Sequence, residues 1–200
     1  MSGTQTPESH LRAPIDTERL VIRPATSDDI ERTWAYRRLP KVNEWLAGTP
    51  TAFDEYRQLF TGPERLADTV IVELNDPLGG GGVIVGDCMV RVEDAWAQVD
   101  VAEHARGSQV ELGWVLDPAQ TGRGYATEAV RALIRYCFDE LGARRVVANC
   151  FLDNERSWLL MERVGMRREL HARRDALHRS GRWLDSLGYA ILREEFNSGR

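Results

Sequence analysis

The stretch from Val110 to Leu141 constrains this chain more than any other, because a short alternating strand, a glycine loop and a long amphipathic pattern follow one another without interruption. Val110, Leu112, Trp114 and Leu116 alternate with Glu111 and Gly113, the period of a strand with one apolar face. After Asp117-Pro118 comes Thr121-Gly122-Arg123-Gly124. From about Tyr125 to Leu141, Ala126, Ala129, Val130, Leu133, Ile134 and Cys137 then recur on one helical stripe, with Gly142 as the C-cap. The first N–H groups of a helix have no intrahelical partner and carry the positive end of its dipole, so such a loop attracts an anion. Pyrophosphate is its natural guest. A tight strand-to-helix turn needs the same glycines, so the loop alone leaves both readings open.

The other elements read as follows. Arg19 to Arg23 is a strand closed by Pro24. A helix runs from about Asp28 to Tyr36 and is stopped by Pro40. A second, Thr51 to Phe60, sets Phe53, Tyr56, Leu59 and Phe60 at helical spacing. Thr69–Leu74 and Val83–Val92 read as a hairpin around Asn75-Asp76-Pro77 and the glycines Gly79 to Gly82, with those glycines as a floppy turn. Val146–Phe151 is a strand, Asn154–Val164 a helix ending at Gly165, and Ser186–Leu192 a last strand. The basic run Arg173 to Arg179 reads as a loop or helix of surface residues, as do His171 and His178. Core packing is the commoner fate for Trp45, Trp96 and Trp183. The division expected is a disordered tail over 1–14, one domain over 15–196 and a short C-terminal tail over 197–200. The class is α+β, layered around a sheet.

Composition excludes several functions. The three cysteines, Cys88, Cys137 and Cys150, form no CxxC pair and have no histidine comb beside them, so neither a disulfide framework nor a metal is expected. A cytoplasmic setting fits. No apolar run approaches a membrane span, and a net charge of -5 argues against broad nucleic-acid binding. That charge is uneven. Residues 1–121 hold 11 basic and 20 acidic side chains, while residues 122–182 hold 13 and 8. The basic stretch is a solvated face or a site for a phosphorylated ligand, and charge alone favours the first. A dinucleotide site ranks low, because Gly122 and Gly124 begin a GxGxxG spacing whose third glycine position is Thr127.

The run Glu111-Leu112-Gly113-Trp114-Val115-Leu116-Asp117-Pro118, followed by Gly122-Arg123-Gly124-Tyr125-Ala126-Thr127-Glu128-Ala129, resembles the GNAT superfamily of acyltransferases, and its RimJ/RimL branch in particular. Thr17 to Pro24, Asn149, Asp153 to Ser157, Glu162 to Met166 and Asp185 to Leu192 carry the resemblance across residues 16 to 196. It implies a GNAT-like mixed, mostly antiparallel central sheet with splayed central strands and flanking helices. The pantetheine arm of coenzyme A would lie along Trp114, Val115 and Leu116. Its pyrophosphate would take N–H groups from Gly122, Arg123, Gly124, Tyr125 and Ala126, with Thr127 at the helix start. Asn154 would bond the pantetheine, and Ser157 would face the coenzyme sulfur. The chain departs from the pattern at Thr121, where many members carry Gln or Arg, and at Met161, where many carry a tyrosine acid.

The activity implied is direct attack of an amine on an acyl-CoA thioester, with no acyl-enzyme and no metal. Acetyl-CoA is the expected donor. Succinyl-CoA is a variant for which Arg91, Arg106 and Arg182 are candidate anchors. Glu111 is the candidate base, and a carboxylate satisfied structurally by an arginine or a backbone N–H is its equal alternative. For Asn154 and Ser157 the alternatives are an N-cap and a first-turn filler. The acceptor is a protein N-terminus, as the branch suggests, or a small amine drawn by the acidic first half. Homodimers are common in such families, although no feature here fixes one. The rival function is an acyl-CoA sensor or interaction module without turnover.

Overall fold

The computed structural model describes residues 9–75 and 82–198. In chain order these form β1 (Ile15–Asp16), β2 (Leu20–Pro24), α1 (Ile30–Arg37), α2 (Pro40–Asn43), α3 (Phe53–Phe60), α4 (Pro63–Asp68), β3 (Thr69–Leu74), β4 (Ile84–Glu93), β5 (Gln109–Leu116), α5 (Tyr125–Asp139), β6 (Arg145–Phe151), α6 (Glu155–Arg163), β7 (Arg167–Leu177), β8 (Trp183–Leu192) and α7 (Arg193–Ser198). The strands hydrogen-bond in the order β1-β2-β3-β4-β5-β6-β8-β7. β5–β6 is parallel, whereas β1–β2, β2–β3, β3–β4, β6–β8 and β7–β8 are antiparallel. The class is therefore the expected mixed, mostly antiparallel α+β fold. Two compact units divide the chain: 1–90 with 114–125, and 91–113 with 126–200.

In the first unit, β2 and β3 are apolar, partly β-branched runs that pair from Leu20↔Leu74 to Pro24↔Val70. The aromatic residues of α1 and α3 pack together, with the Trp34 and Tyr56 rings stacked at 5.2 Å. Pro40, expected only as a stop, ends α1 and also opens α2, because the first helical position has no use for the N–H that proline lacks. Pro63 opens α4 in the same way. That six-residue helix is too short for its period to be read from sequence. Within the expected tail, Leu11 is only 1 % exposed, and the His10 N–H donates to the Ala67 carbonyl. Burial of Leu11, this hydrogen bond and the His10–Asp68 contact together hold the segment. The turn expected around Asp76, Pro77 and Gly79 to Gly81 lies outside the described residues.

In the second unit, α5 buries Ala129, Val130, Leu133, Ile134, Cys137 and Phe138, the stripe its spacing predicts with Phe138 added and Ala126 only half-buried. β6 pairs with β8 from Arg145↔Leu192 to Phe151↔Ser186. The run Arg173–Arg179 requires a correction, since most of it lies in β7. That strand follows β8 antiparallel from Arg167↔Ala190 to Leu177↔Trp183, with an irregular register at Ala172/Ala176. Its arginines show no alternation, and β8 supplies the ladder that the local sequence does not announce. Trp96 and Trp183 are not core residues either, being 91 % and 57 % exposed.

β5 departs from its predicted face in an informative way. Val110 and Leu112 are buried as expected, but beyond Gly113 the buried residue is Val115, with Trp114 and Leu116 half-buried. The phase changes where the strand passes from residues of the second unit to residues of the first. Val115 packs with Ala25, Ile30, Ile71 and Ile84 of the first unit.

Candidate active site

The glycine loop belongs to the first unit up to Tyr125. Asp117 starts it: its carboxylate accepts the Ala119 N–H at 2.9 Å, and its carbonyl accepts the Gln120 N–H. This closes a turn over Pro118–Gln120. Gly122 and Gly124 then take φ of 79° and 81°, a region costly for residues with a Cβ. Among the described residues, the backbone N–H groups of Gly122, Arg123 and Gly124 donate no hydrogen bond. Three open donors in a row at the head of a 15-residue helix suit an anion. The Arg123 guanidinium reaches Gln120 Oε1 at 3.3 Å and is otherwise exposed.

Trp114, Val115 and Leu116 also lie in this unit. The Asp117 N–H donates to the Val85 carbonyl of β4 at 2.9 Å, and Val115 O approaches Gly86 so closely that a Cβ there would strike it. Main-chain groups point alternately to the two edges of a strand. With Val115 and Asp117 turned to β4, Trp114 and Leu116 present their N–H and C=O groups to the opposite edge. An isolated glycine inside a strand pattern signals close backbone approach, so Gly86 was visible in the sequence.

The second unit holds Glu111, Ala126, Thr127, Asn154 and Ser157. The β5–β6 ladder runs Gln109↔Arg145, Val110↔Val146, Glu111↔Val147 and goes no further, although β6 continues to Phe151. Glu111 stands at the last rung. Its Oε1 accepts from Asn149 Nδ2 at 3.1 Å, and its Oε2 lies 3.5 Å from Arg91 NH1. Arg91, a candidate anchor for a donor carboxylate, is therefore engaged with Glu111. Arg106 pairs with Glu103, and Arg182 lies near Asp153.

Asn154 is the N-cap of α6 by position, but its side chain makes no capping hydrogen bond. Its carbonyl accepts the Ser157 N–H at 3.0 Å, which puts both residues on one turn. Ser157 acts on the Cys150 thiol. Burial pushes that thiol up to about 11 against the lowering effect of Ser157, so it stays protonated at neutral pH. Met161 is 1 % exposed, a core residue. Ala126 is half-buried at the start of α5. Arg163 NH1 lies 3.5 Å from the Thr127 hydroxyl.

Within each unit, then, the structure brings Glu111 to Asn149 and Arg91, Ser157 to Asn154 and Cys150, and the glycine loop to Arg19. The last contact escaped the sequence reading. Arg19 NH1 donates to the Arg123 carbonyl at 3.0 Å across 104 positions. Its only sequence signal was its place in the Thr17–Pro24 run.

A strand that leaves its partner after three rungs and a loop of open N–H groups leading into a long helix are features that an acyl-CoA-dependent transferase would need. Comparison with known proteins narrows this. Residues 19–167 match the acetyltransferase (GNAT) domain, and the chain belongs to that family. It is similar to YdaF of Bacillus subtilis, provisionally named a ribosomal N-acetyltransferase, with 28% identity over 90% of this chain and 94% of that one. It is 39% identical to the N-acetyltransferase YnaD of the same organism, over 44% of this chain and only 51% of that protein. The crystal structure of a GNAT-family acetyltransferase from Bacillus anthracis superposes with a TM-score of 0.75 at 29% identity, covering 90% of this chain and 99% of that one. Among the described residues, no helix is long and apolar enough to cross a membrane.

Proposed function

We propose that this N-acetyltransferase moves an acyl group, acetyl foremost and succinyl as the variant, from its coenzyme A thioester to a primary amine by direct attack. The observation that carries the reading is the run of open N–H groups at Gly122–Gly124 leading into α5. In this reading the pyrophosphate takes N–H groups from Gly122 to Ala126, with Thr127 and the Arg123 guanidinium alongside. The pantetheine arm runs along the open edge of Trp114, Val115 and Leu116, and Asn154 bonds it. The amine nitrogen attacks the thioester carbon, an N–C bond forms and the C–S bond breaks. Net, one proton leaves nitrogen and one reaches sulfur. Glu111, oriented by Asn149 and Arg91, takes the first, and Ser157 donates a hydrogen bond to the departing thiolate. A thiol leaving group, with a pKa near 8.5 in cysteine, needs no stronger acid.

The acceptor is a protein N-terminus, a reading for which YdaF's name offers a ribosomal acceptor, or a small amine attracted by the acidic residues of positions 1–121. The three free cysteines accord with a cytoplasmic location. Thermal unfolding against coenzyme A, acetyl-CoA, succinyl-CoA and NAD tests the donor, since a ligand at 100 times its Kd stabilises by about 2.7 kcal/mol. Stabilisation by thioesters but not NAD is expected, and no shift at millimolar thioester would end the proposal. The burial of Met161, where many relatives carry a tyrosine acid, gives the sensor reading its weight. Amine-dependent thiol release separates the two: Glu111→Gln should lower kcat by about 100-fold with coenzyme A affinity unchanged, and no release from any amine would favour the sensor.

A further inference from the structure

We infer that Arg19 is a positioning residue for donor binding, holding the loop so that the Gly124 N–H is presented to a phosphate. The inference rests on the acyl-CoA reading above. Arg19 immediately precedes β2, and its main chain is itself held, its carbonyl accepting the Asn75 N–H at 2.8 Å. From there the guanidinium makes two contacts with the loop. NH1 donates to the Arg123 carbonyl at 3.0 Å, and the carbon of the guanidinium sits over the Tyr125 ring, 4.8 Å from its centre. Arg19 thus grips the residues on both sides of Gly124, and its NH2 lies 3.5 Å from where a Cβ on that glycine would stand.

Peptide geometry turns this grip into a function. In a planar trans peptide the C=O and N–H point in opposite directions. Fixing the Arg123 carbonyl toward Arg19 therefore sends the Gly124 N–H away from it, where it makes no hydrogen bond within the protein. The loop cannot fix this orientation alone. Its own ties, Thr121 Oγ1 to the Pro118 carbonyl and Arg123 NH1 to Gln120 Oε1, anchor the preceding turn. Among the described residues, the one side-chain hydrogen bond to backbone between Gly122 and Tyr125 comes from Arg19. Two glycines give this stretch wide conformational freedom, so ordering it in advance removes a cost that binding would otherwise carry. Arginine suits the task because one N–H can bond a carbonyl while the planar group stacks on a ring. A lysine ammonium has no such plane.

Calorimetric titration of the full chain with coenzyme A, for wild type, Arg19→Ala and Arg19→Lys, is the test, joined by 15N order parameters of the Gly122–Tyr125 amides without ligand. Arg19→Ala should bind coenzyme A about tenfold more weakly. Its loop amides should fall from the rigid range, about 0.85, toward about 0.6 while the melting temperature holds. Arg19→Lys should recover only part of both. Unchanged affinity in Arg19→Ala would overturn the inference. So would weaker affinity with loop amides as rigid as wild type, which would make Arg19 a direct ligand, or full recovery in Arg19→Lys, which would reduce its role to charge. Failure of the wild type to bind coenzyme A would show before any variant is compared and would overturn the donor reading with it.

Discussion

The two units use ion pairs in opposite ways. Among the described residues, the buried polar side chains Asp29, Thr33, Thr69, Glu73 and Asp87 all belong to the first unit. There Arg23 bridges Asp29, at 2.7 and 2.8 Å, and Glu73, twice at 2.9 Å, and Arg32 adds a third bond to Glu73. Asp87 accepts from the Tyr36 hydroxyl at 2.5 Å and from both Nε and NH2 of Arg37. The second unit builds its core from the apolar faces of α5, β6 and β8 and keeps its ion pairs, Arg145 and Arg167 with Glu169, Arg167 with Glu195, nearer to solvent. The contrast teaches that a salt bridge has no fixed worth. Removing one partner of a buried pair strands a charge in low dielectric, whereas water screens an exposed pair and replaces its bonds.

Four substitutions break or sharpen that contrast. Asp87→Ala leaves Arg37 and the Tyr36 hydroxyl without their acceptor and should cost about 3–5 kcal/mol in urea unfolding. A loss below about 1 kcal/mol would put the two units on the same footing. Gly86→Ala tests whether packing in the first unit is as exacting as its electrostatics. The added methyl meets the Val115 carbonyl and comes within 2.9 Å of the Leu116 Cα, atoms that cannot rotate aside. It should cost about 3 kcal/mol, the upper end for overpacking.

Asp29→Asn comes next, at about 2 kcal/mol near neutral pH, and adds a pH signature. Burial opposes the Asp29 charge, but the bonds from Arg23 and Thr26 outweigh it and hold the carboxyl below the usual aspartate range. A depressed pKa means stability that is complete above the unfolded value, about 3.9, and lost as pH falls through the lower folded value. The gap between wild type and Asp29→Asn in urea midpoints should therefore stay level from pH 8 to about 5 and shrink below about 4. A gap that ignored pH would assign the loss to packing. Glu169→Ala, in the second unit, should shift the midpoint least, by less than about 1 kcal/mol. A larger loss would show that this unit also leans on its ion pairs.

What the sequence determined by itself is whatever a few neighbouring residues encode. The strand, glycine loop and helix from Val110 onward, the apolar stripe of α5 and the runs of β2 and β3 all carry their signal within one or two turns of chain. β7 and α4 did not. The first is an arginine-rich edge whose ladder is supplied by β8, and the second is a helix too short to show a period. The phase change in β5 was hidden for a related reason, since alternation is local and what covers each face is not. Only the tertiary structure decided that Glu111 meets Asn149 and Arg91, that Asp87 holds Tyr36 and Arg37, and that Arg19 reaches a loop 104 residues away. These are contacts between side chains far apart in sequence, and no local period records which distant groups the folding of the chain will bring within a hydrogen bond of one another.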